Sequence, residues 1–264
     1  MGSDSRHPEK VRIDIYLVEK GFAPSRTKAQ DLIKAGMVFI REQLNPRLVE
    51  SANELIDEAH APEILVQKNP MDKYVSRAGF KLEGALEHLQ LSVESLIVLD
   101  VGISTGGFSD CLLQRGALRI IGIDVGHNQL SPRLKSDPRI QCLEGINARE
   151  IHINDDVLEH VPPKGFHLAV IDVSFISLTL VLPSVINLVR RWGHVLALVK
   201  PQFEVGPEGL GKNGIVKDES LYLGVKQKIE KLAQDLDLIV KDYFPSQIEG
   251  KDGNKEFFIY LQKN

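Results

Sequence analysis

Two charged residues directly follow apolar segments, at positions where an unpaired charge is costly. Asp172 follows the apolar run in "HLAVIDVS", and Lys200 follows the one in "HVLALVK". Because an isolated charge inside an apolar strand is unfavourable, both side chains are expected at the open ends of their strands or beside an opposite charge. Both are therefore candidates for chemistry, although a solvated surface charge would also explain each of them alone.

Two further residues could complete a reactive group. "SRAGFKLEG" places Lys81 on a predicted helix, and "NKEFFIYL" places Glu256 at the head of the last predicted strand. A sugar hydroxyl is a poor nucleophile near neutral pH, and a lysine can accept its proton if burial and a second cation lower the pKa of the amine. We therefore expect Lys200 to lie beside Lys81. The carboxylates of Asp172 and Glu256 would orient the two amines, whereas solvated surface positions remain the alternative.

A glycine-rich loop, "DVGISTGGF", follows another apolar strand and leads into a helical pattern. Glycine tolerates positive φ and lets a ligand lie against bare backbone, and ligands of open α/β sheets bind at the carboxyl ends of the strands. The loop matches neither the dinucleotide pattern nor the phosphate-binding loop, and it has no lysine for a triphosphate. Its candidate ligand-binding residues are Asp100, Gly102, Ser104, Gly106, Gly107 and Phe108.

An acid at the end of the next strand narrows the class of ligand. Asp124 ends the strand in "IIGIDVG", where a carboxylate can accept hydrogen bonds from both hydroxyls of a ribose. The two features predict an adenosine-type nucleoside with little phosphate, and S-adenosyl-L-methionine fits. Asp100 and the loop would face its methionine end, and Asp124 would face its ribose. A tight strand–helix turn without a ligand is the alternative.

The elements that position these residues begin at about residue 74, where apolar strands alternate with helical patterns. Helices are predicted in "SRAGFKLEGALEHLQL", "GFSDCLLQRG", "TLVLPSVINLVRR" and "SLYLGVKQKIEKLAQDL", and strands in "LIVLDV", "LRIIGIDV", "IQCLEG", "HLAVIDVS", "HVLALVK", "LIVKDYF" and "EFFIYLQ". This alternation predicts an α/β fold with a mostly parallel, doubly wound sheet. The turn "EGKDGN" makes a hairpin of the last two strands, which predicts one antiparallel strand.

The N-terminal region differs in rhythm and in charge. Short helices are predicted in "VRIDIYLVEKGF" and "PSRTKAQDLIKAG", and short strands in "MVFI", "ELIDEA" and "EILVQK". Residues 10–41 hold seven lysines and arginines against three acids, in a chain of formal net charge −4, which favours a nucleic-acid partner for this region. We predict a small α+β domain over 1–68 with a tail at 1–9, a linker at 69–75, and an α/β domain over 76–264.

Composition excludes several other classes of protein. Hydrophobic residues make up 43% and charged residues 26%, as in ordinary soluble globular proteins. The longest apolar segment is interrupted by Asp172 and Pro183, so no membrane-spanning helix is predicted, and "MGSDSRHPEK" lacks the apolar core of a secretory signal. Cys111 and Cys142 lack metal-type spacing and are predicted to be buried free thiols. We therefore expect a cytoplasmic protein without a metal centre.

Five ordered motifs, "SRAGFKL", "DVGISTGGF", "IDVSFIS", "VKPQFE" and "GNKEF", resemble the hemolysin A/TlyA family, which is related to the FtsJ-like RNA ribose methyltransferases. The resemblance covers residues 10–262. It implies a Rossmann-like methyltransferase sheet and S-adenosylmethionine-dependent 2′-O-methylation of ribosomal RNA, free or in ribosomal subunits. The Lys-Asp-Lys-Glu tetrad of that group maps onto Lys81, Asp172, Lys200 and Glu256, with Glu249 as the alternative last member. Asn147 of "EGINARE" would lie near the adenosine.

The N-terminal region resembles the RNA-binding domain named after ribosomal protein S4. "RID" at residues 12–14, "SRTKA" at 25–29 and "GMV" at 36–38 carry the resemblance. Such domains commonly continue with an Asn-Gly turn, whereas this chain has "FIREQLNPR", which leaves the hairpin after Ile40 open. The implied RNA-contact residues are Arg12, Ser25, Arg26, Lys28 and Lys34, to which Arg77 of "SRAGFKL" is added.

Other functions stay open at this point. The same chain could be a catalytically inactive RNA-binding or ribosome-assembly factor, a membrane-active hemolysin, or a methyltransferase acting on a base or a protein. The segment "PQFEVGPEGLGKNGIVKD" after Lys200 is expected to be a mobile loop that orders on RNA, or else a plain crossover.

Overall fold

The computed structural model describes residues 10–42, 45–57, 62–67, 73–250 and 253–264. The chain divides into two compact units between Lys73 and Tyr74. The predicted tail at residues 1–9 and most of the predicted linker lie outside the described residues.

The described part of the first unit contains short helices and antiparallel strands. The elements are β1 (Lys10–Arg12), α1 (Ile13–Glu19), α2 (Arg26–Lys34), β2 (Val38–Glu42), β3 (Asn45–Leu48), β4 (Leu55–Asp57) and β5 (Glu63–Val66). β2 pairs with β3 and β5, and β1 pairs with β4. The core of this unit gathers around Ile13, Leu17, Ala29 and Val38. The Oγ of Ser25 accepts a hydrogen bond from the backbone N–H of Lys28, so Ser25 is the N-cap of α2.

The hairpin that the sequence leaves open is present. β2 and β3 pair antiparallel from Phe39 opposite Leu48 to Glu42 opposite Asn45. The hairpin therefore forms without an Asn-Gly turn. Its register is compatible with the core because Ile40 of β2 is buried with the other apolar residues of the unit.

The second unit is built on a seven-stranded sheet. Its strands are β6 (Ile97–Val101), β7 (Arg119–Asp124), β8 (Ile140–Glu144), β9 (Phe166–Ile171), β10 (Val189–Val199), β11 (Leu238–Pro245) and β12 (Phe257–Lys263). Its helices are α3 (Ala78–His88), α4 (Gly107–Gln114), α5 (Pro132–Lys135), α6 (Asp155–Leu158), α7 (Leu178–Leu188) and α8 (Leu221–Asp235). No helix within the described ranges is both long enough and apolar enough to cross a membrane.

The strand order is β11-β12-β10-β9-β6-β7-β8. β12 pairs antiparallel with both β10 and β11, whereas β6 to β10 pair parallel with one another. This confirms the predicted α/β class with one antiparallel strand. From β6 the chain builds the sheet first towards β8 and then, after a return, towards β10. The strand order therefore reverses beside β6, where open α/β sheets form a crevice at their carboxyl edge.

The antiparallel direction of β12 matters for the position of its first residues. Val199, the last residue of β10, lies opposite Phe257, the first residue of β12. The beginning of β12 therefore shares an edge of the sheet with the carboxyl ends of the parallel strands. Asp172, Lys200 and Glu256 consequently all lie at this edge, although they are far apart in the sequence.

Candidate active site

A cleft of about 370 Å³ opens at the carboxyl edge of the sheet. This volume lies within the usual range for small-molecule sites. The residues that line the cleft are Ser76, Ala78, Gly102, Ile103, Ser104, Thr105, Gly107, Phe108, Asp172, Ser174 and Lys200. Residues predicted for the cofactor loop and two residues of the predicted tetrad therefore share one cleft.

Asp172 and Lys200 form an ion pair on the wall of the cleft. Nζ of Lys200 lies 2.6 Å from Oδ1 of Asp172, outside hydrogen-bond geometry, and donates a hydrogen bond of 2.8 Å to Oγ of Ser174. The side chains are only 12% and 17% exposed. Separating such a pair would leave a poorly solvated charge without a partner, so the amine is held in place. The sequence gives no distinctive signal for Ser174, apart from its position two residues after Asp172.

Lys81 and Glu256 form a second, more buried ion pair. Nζ of Lys81, on α3, donates a 2.5 Å hydrogen bond to Oε2 of Glu256, which directly precedes β12. A Cβ at Gly250 would lie 2.8 Å from Oε1 of Glu256, so this glycine leaves room for the carboxylate. Glu249, the alternative candidate, is exposed and contributes only its backbone oxygen to a long contact with Arg77. The carboxylate that meets Lys81 is therefore that of Glu256.

The four predicted tetrad residues are arranged as two lysine–carboxylate pairs. The pairs lie at the ends of adjacent strands, because Val199 and Phe257 are directly opposite each other. Each amine is oriented by its own carboxylate. Asp172 and Lys200 line the cleft, whereas Lys81 and Glu256 do not.

Packing within the protein requires three of the glycines in the loop, whether or not a ligand is bound. Gly102 has φ +86°, and a Cβ there would overlap the carbonyl oxygen of Asp172. Gly106 has φ +93°, and a Cβ there would overlap the side chain of Leu134. A Cβ at Gly107 would overlap Oγ of Ser76. Packing against neighbouring segments therefore requires small residues at positions that the sequence assigns to ligand approach.

Asp100 lies beneath the glycine loop and is fully buried. Its Oδ2 accepts a 2.6 Å hydrogen bond from Oγ of Ser109, whereas its Oδ1 has no hydrogen-bond partner among the described residues. Burial raises the pKa of Asp100 to about 7, against the lowering effect of Ser109. The charges of Asp172 and Asp124 push this pKa in the same direction as burial. Three carboxylates thus act on each other at this end of the sheet, which favours a cationic ligand.

Asp124 and Asn147 lie beside each other at the end of β7. Oδ2 of Asp124 accepts a hydrogen bond from the backbone N–H of Ser104, and Oδ1 accepts one from that of Gly126, each at 2.8 Å. A carboxylate has about four lone-pair sites, so acceptor capacity remains for a ligand. The backbone N–H of Ile146 donates to the carbonyl oxygen of Asp124, which brings the exposed Asn147 to the same strand end.

Phe108 belongs to the core as well as to the cleft. It is almost fully buried, and its ring packs against that of Phe258. The residues around the cleft fit S-adenosylmethionine in chemistry: a fully buried carboxylate oxygen of Asp100 without a partner, and acceptor capacity at Asp124. The predicted cofactor residues that line the cleft are Gly102, Ser104, Gly107 and Phe108; Asp100 and Gly106 do not line it.

An exposed aromatic residue, Phe175, directly follows the cleft residue Ser174 in the sequence. Phe175 is 92% exposed, has φ +63°, and its ring lies 5.3 Å from that of Phe203. A bulky residue with positive φ is unusual, and here the backbone presents an apolar ring to solvent. The sequence contains "DVSFIS" but does not reveal this outward position.

In the first unit, the buried Asp14 gathers the arginines that are predicted to contact RNA. Arg12 donates two hydrogen bonds to its carboxylate, at 3.0 and 2.9 Å, and Arg26 donates one at 3.3 Å. Gln30 donates a fourth at 2.8 Å. The hydrogen bonds from Arg12, together with those from Gln30 and Arg26, hold the pKa of Asp14 well below its usual range, although burial opposes them. This role of Asp14 is not predicted from the sequence, which offers one signal for it, an acid within the apolar stretch "IDIYLV".

The remaining predicted RNA-contact residues have separate surroundings. Ser25 serves as the helix cap described above, and Lys28 is half-buried in the first turn of α2. Lys34 is exposed in the last turn of α2. Arg77 is exposed in the second unit, just before α3. Lys34 and Arg77 are thus placed on solvent-accessible surface, each within its own unit.

Comparison with known proteins places this geometry in a family. The FtsJ-like methyltransferase model matches residues 74–263, and the S4 domain model matches residues 11–40. The chain is 37% identical to the Mycobacterium tuberculosis protein named 16S/23S rRNA (cytidine-2'-O)-methyltransferase TlyA, over 96% of this chain and 90% of the relative. It is also 37% identical to the Brachyspira hyodysenteriae protein named Hemolysin A, over 95% and 99% of the two chains.

A solved structure of a Streptococcus thermophilus protein is similar over almost the whole chain. It is 38% identical, superimposes with a TM-score of 0.68, and the match covers 98% of this chain and 90% of the other. These matches confirm the resemblance that the five sequence motifs indicate.

Proposed function

The chain belongs to the FtsJ-like methyltransferase family and carries an N-terminal S4 domain, and on this basis we propose that it methylates a ribose 2′-oxygen of ribosomal RNA with S-adenosylmethionine as methyl donor. The relative from Mycobacterium tuberculosis is named for that reaction on 16S and 23S rRNA. The observation that carries the proposal is the Asp172–Lys200 ion pair on the wall of a cleft that the glycine loop also lines.

S-adenosylmethionine supplies a methyl group on a positively charged sulfur. The glycine loop and the carboxylate of Asp100 would hold its methionine end, where the buried Oδ1 has no hydrogen-bond partner in the described part of the chain. Asp124 would accept hydrogen bonds from the ribose hydroxyls, and Asn147 would border the adenosine. The negative charge of Asp100, Asp124 and Asp172 would favour a cation at this place.

Lys200 would accept the proton that the 2′-hydroxyl gives up as its oxygen bonds to the methyl carbon. The bond between that carbon and the sulfonium sulfur breaks at the same time, and S-adenosylhomocysteine leaves as a neutral thioether. To do so, the amine must first lose the proton that it carries in the ion pair with Asp172. It then becomes an ammonium again, the carboxylate of Asp172 stabilises that charge, and the proton passes to solvent. The hydrogen bond from Nζ of Lys200 to Oγ of Ser174 also fixes the position of the amine. The pair of Lys81 and Glu256 braces the adjoining strand end. Placement of the hydroxyl contributes much of the rate in such a two-substrate transfer.

The RNA would be held by contacts of two kinds. In the S4 domain, Arg12, Arg26, Lys28 and Lys34 would contact phosphates, which sets orientation rather than sequence. Beside the cleft, the exposed ring of Phe175 would stack on the base of the target nucleotide. We propose that this reaction takes place in the cytoplasm, on ribosomal RNA or ribosomal subunits.

The test is methyl transfer from labelled S-adenosylmethionine to ribosomal RNA, followed by nucleoside analysis. Lys200→Ala is expected to lower the rate about 100- to 10,000-fold, which is the usual contribution of a positioned acid–base group. Lys231→Ala, which removes an exposed lysine of α8, is the matched control. A variant lacking Lys200 that keeps nearly full activity, or a product methylated on the base, would contradict the proposal.

A further inference from the structure

A second cationic surface lies in the methyltransferase unit, at the edge of the sheet opposite the cleft. Lys164, Arg190, Arg191 and Trp192 together line a shallow depression there, which we call the Trp192 surface. It forms where β9 and β10 begin, since Phe166 is paired with Val189. The indole of Trp192 is 53% exposed.

The backbone turns this indole outward. Trp192 has φ +60°, a conformation that bulky residues rarely adopt. The register of β10 against β9 is irregular between Val189 and His194, so the strand bulges at this point. A Cβ at Gly165 would lie 2.7 Å from the backbone nitrogen of Arg190, which shows how closely the two chain segments approach. A strained aromatic residue that stays half exposed gains little from burial, which indicates a function.

The positive charge of this surface is not balanced by nearby acids. Within the ranges that the structure describes, Lys164, Arg190 and Arg191 form no ion pair with a carboxylate. Burial lowers the pKa of His167, and the positive charge of Arg190 lowers it further. Burial, followed by the charges of Lys241 and Arg190, lowers the pKa of His194. The surface therefore presents three cations that have no carboxylate within ion-pair distance among the described residues, in a chain whose net charge is −4.

We propose that the Trp192 surface binds a segment of RNA, with the indole stacked on a base and the three cations against phosphates. Aromatic rings beside arginines and lysines are the usual means of holding unpaired nucleotides. The guanidinium of Arg191 already lies over the indole, 5.1 Å from its centroid, and can continue the stack on a base. An anionic lipid surface would satisfy the charges but offers no base for the indole.

The position of the surface constrains the RNA. Trp192 and Lys200 lie beyond opposite ends of the regularly paired part of β10, which runs from His194 to Val199 and spans about 17 Å at about 3.3 Å per residue. One nucleotide cannot reach both. The RNA that contacts the cleft and the Trp192 surface must therefore present two separate segments, as a large folded RNA does. This step rests on the proposed function, whereas RNA binding at the surface does not.

The test uses the fact that Trp192 is the single tryptophan of the chain. The full-length protein is titrated with a ribosomal RNA transcript, while tryptophan emission and the fluorescence anisotropy of the labelled RNA are both recorded. We expect quenching that follows RNA binding and is reversed by salt. Unchanged emission at saturating RNA would overturn the proposal. A blue shift with phosphatidylglycerol vesicles, in the absence of quenching by RNA, would overturn it in favour of a lipid surface.

Variants test the same surface without the fluorescent probe. Trp192→Asn removes the ring but keeps a residue that tolerates positive φ, and we expect RNA affinity to fall about 5- to 100-fold. Arg191→Gln is expected to reduce the salt dependence of binding by about one phosphate contact. Lys231→Gln, which removes one exposed charge on α8, is the control and should leave RNA affinity unchanged.

These binding measurements are independent of methyl transfer. If the protein fails to methylate RNA but Trp192→Asn still weakens RNA binding, the proposed function fails and the Trp192 surface stands. If the affinity of Trp192→Asn equals that of the parent while its thermal midpoint is also unchanged, the Trp192 surface is refuted and the proposed function is untouched.

Discussion

Buried or half-buried carboxylates position basic side chains in both units. Asp14 holds Arg12 and Arg26, Asp172 holds Lys200, and Glu256 holds Lys81. Removing the acid of such a pair leaves the base without orientation and removes acceptors that several donors share. Substitution of the acid should therefore be as harmful to function as substitution of the base that would contact the substrate.

Asp14 offers the first test at the residue level. Asp14→Ala removes the acceptor of Arg12, Arg26 and Gln30, and we expect the free energy of unfolding to fall by about 1 to 3 kcal/mol at pH 7. RNA affinity should fall as well, because the two arginines lose their orientation. Urea denaturation and RNA titration of the full chain measure both effects. Asp31→Ala, on the exposed side of α2, is the matched control; equal effects from the two variants would refute this role.

The low pKa of Asp14 also predicts a pH dependence. A carboxyl whose pKa is lower in the folded than in the unfolded state stabilises the fold above its unfolded pKa of about 3.9, and this stabilisation is lost as the pH falls through the acid range. The stability difference between the parent and Asp14→Ala should therefore shrink in acid.

Asp100 should show the opposite pH dependence. Its folded pKa of about 7 lies above its ordinary value, so the folded protein binds this proton more tightly than the unfolded chain does. Its contribution to the free energy of unfolding therefore falls as the pH rises from about 4 to about 7, and it stays low above that. Asp100→Asn should remove this dependence. We expect the thermal midpoint of the variant minus that of the parent to be larger at pH 8 than at pH 5. A pH-independent difference would contradict the raised pKa.

At the level of elements, the strands and the site edge could be predicted because apolar runs mark buried parallel strands. The glycine loop, Asp172 and Lys200 each follow such a run, and the carboxyl ends of parallel strands share one edge. Glu256 joins them only because β12 is antiparallel, which the predicted hairpin implied. The pairing between individual side chains could not be predicted in the same way. Which carboxylate meets which amine depends on side-chain reach across the edge, which no spacing in the sequence encodes.

The bulge of β10 shows the same limit. The predicted helix "TLVLPSVINLVRR" takes in residues 189–191, and the predicted strand "HVLALVK" begins at His194. The observed helix ends at Leu188, and the observed strand begins at Val189. The irregular pairing and the left-handed Trp192 arise from the close approach of the chain at Gly165, a contact between segments that are far apart in sequence. Local propensity cannot report such a contact.

Glu204 connects the chain segment that follows Lys200 to helices α7 and α8. Its Oε1 accepts a hydrogen bond from the backbone N–H of Leu178 at the start of α7, and its Oε2 accepts one from Oγ of Ser177. Lys228 of α8 donates to the same Oε2 at 2.8 Å. This carboxylate, four residues after Lys200, therefore ties the chain that carries the proposed base to two helices.

Glu204→Gln should loosen this connection. A carboxamide has one acceptor oxygen in place of two, so one of the donors loses its partner, and we expect the free energy of unfolding to fall by about 1 to 3 kcal/mol. Methyl transfer should lose kcat, while affinity for S-adenosylmethionine changes little, because Glu204 does not line the cleft. Glu208→Gln, at an exposed site on the same segment, is the control. Normal kcat in Glu204→Gln would argue against this positioning role.

On the scale of the whole molecule, a chain of net charge −4 carries a basic surface on each of its two units. One contains the arginines around Asp14 in the S4 domain, and the other is the Trp192 surface of the methyltransferase unit. The two surfaces belong to separate compact units and share no side chains. Such a division suits a large RNA, because contacts on linked modules multiply the affinity when one ligand engages both.

A pair of variants tests whether one RNA engages both surfaces. Arg26→Gln and Trp192→Asn should each weaken binding to a ribosomal RNA transcript, and the double variant should lose the product of the two factors, because residues without shared partners contribute nearly independently. An oligonucleotide that engages only one surface at a time binds to either of them, so its loss from the double variant should fall short of the product measured with the long transcript. Anisotropy titrations at fixed salt measure all four proteins with both RNAs. If the double variant binds the long transcript as well as the weaker single variant does, only one surface is in use, and the second contact is not made by the same RNA molecule.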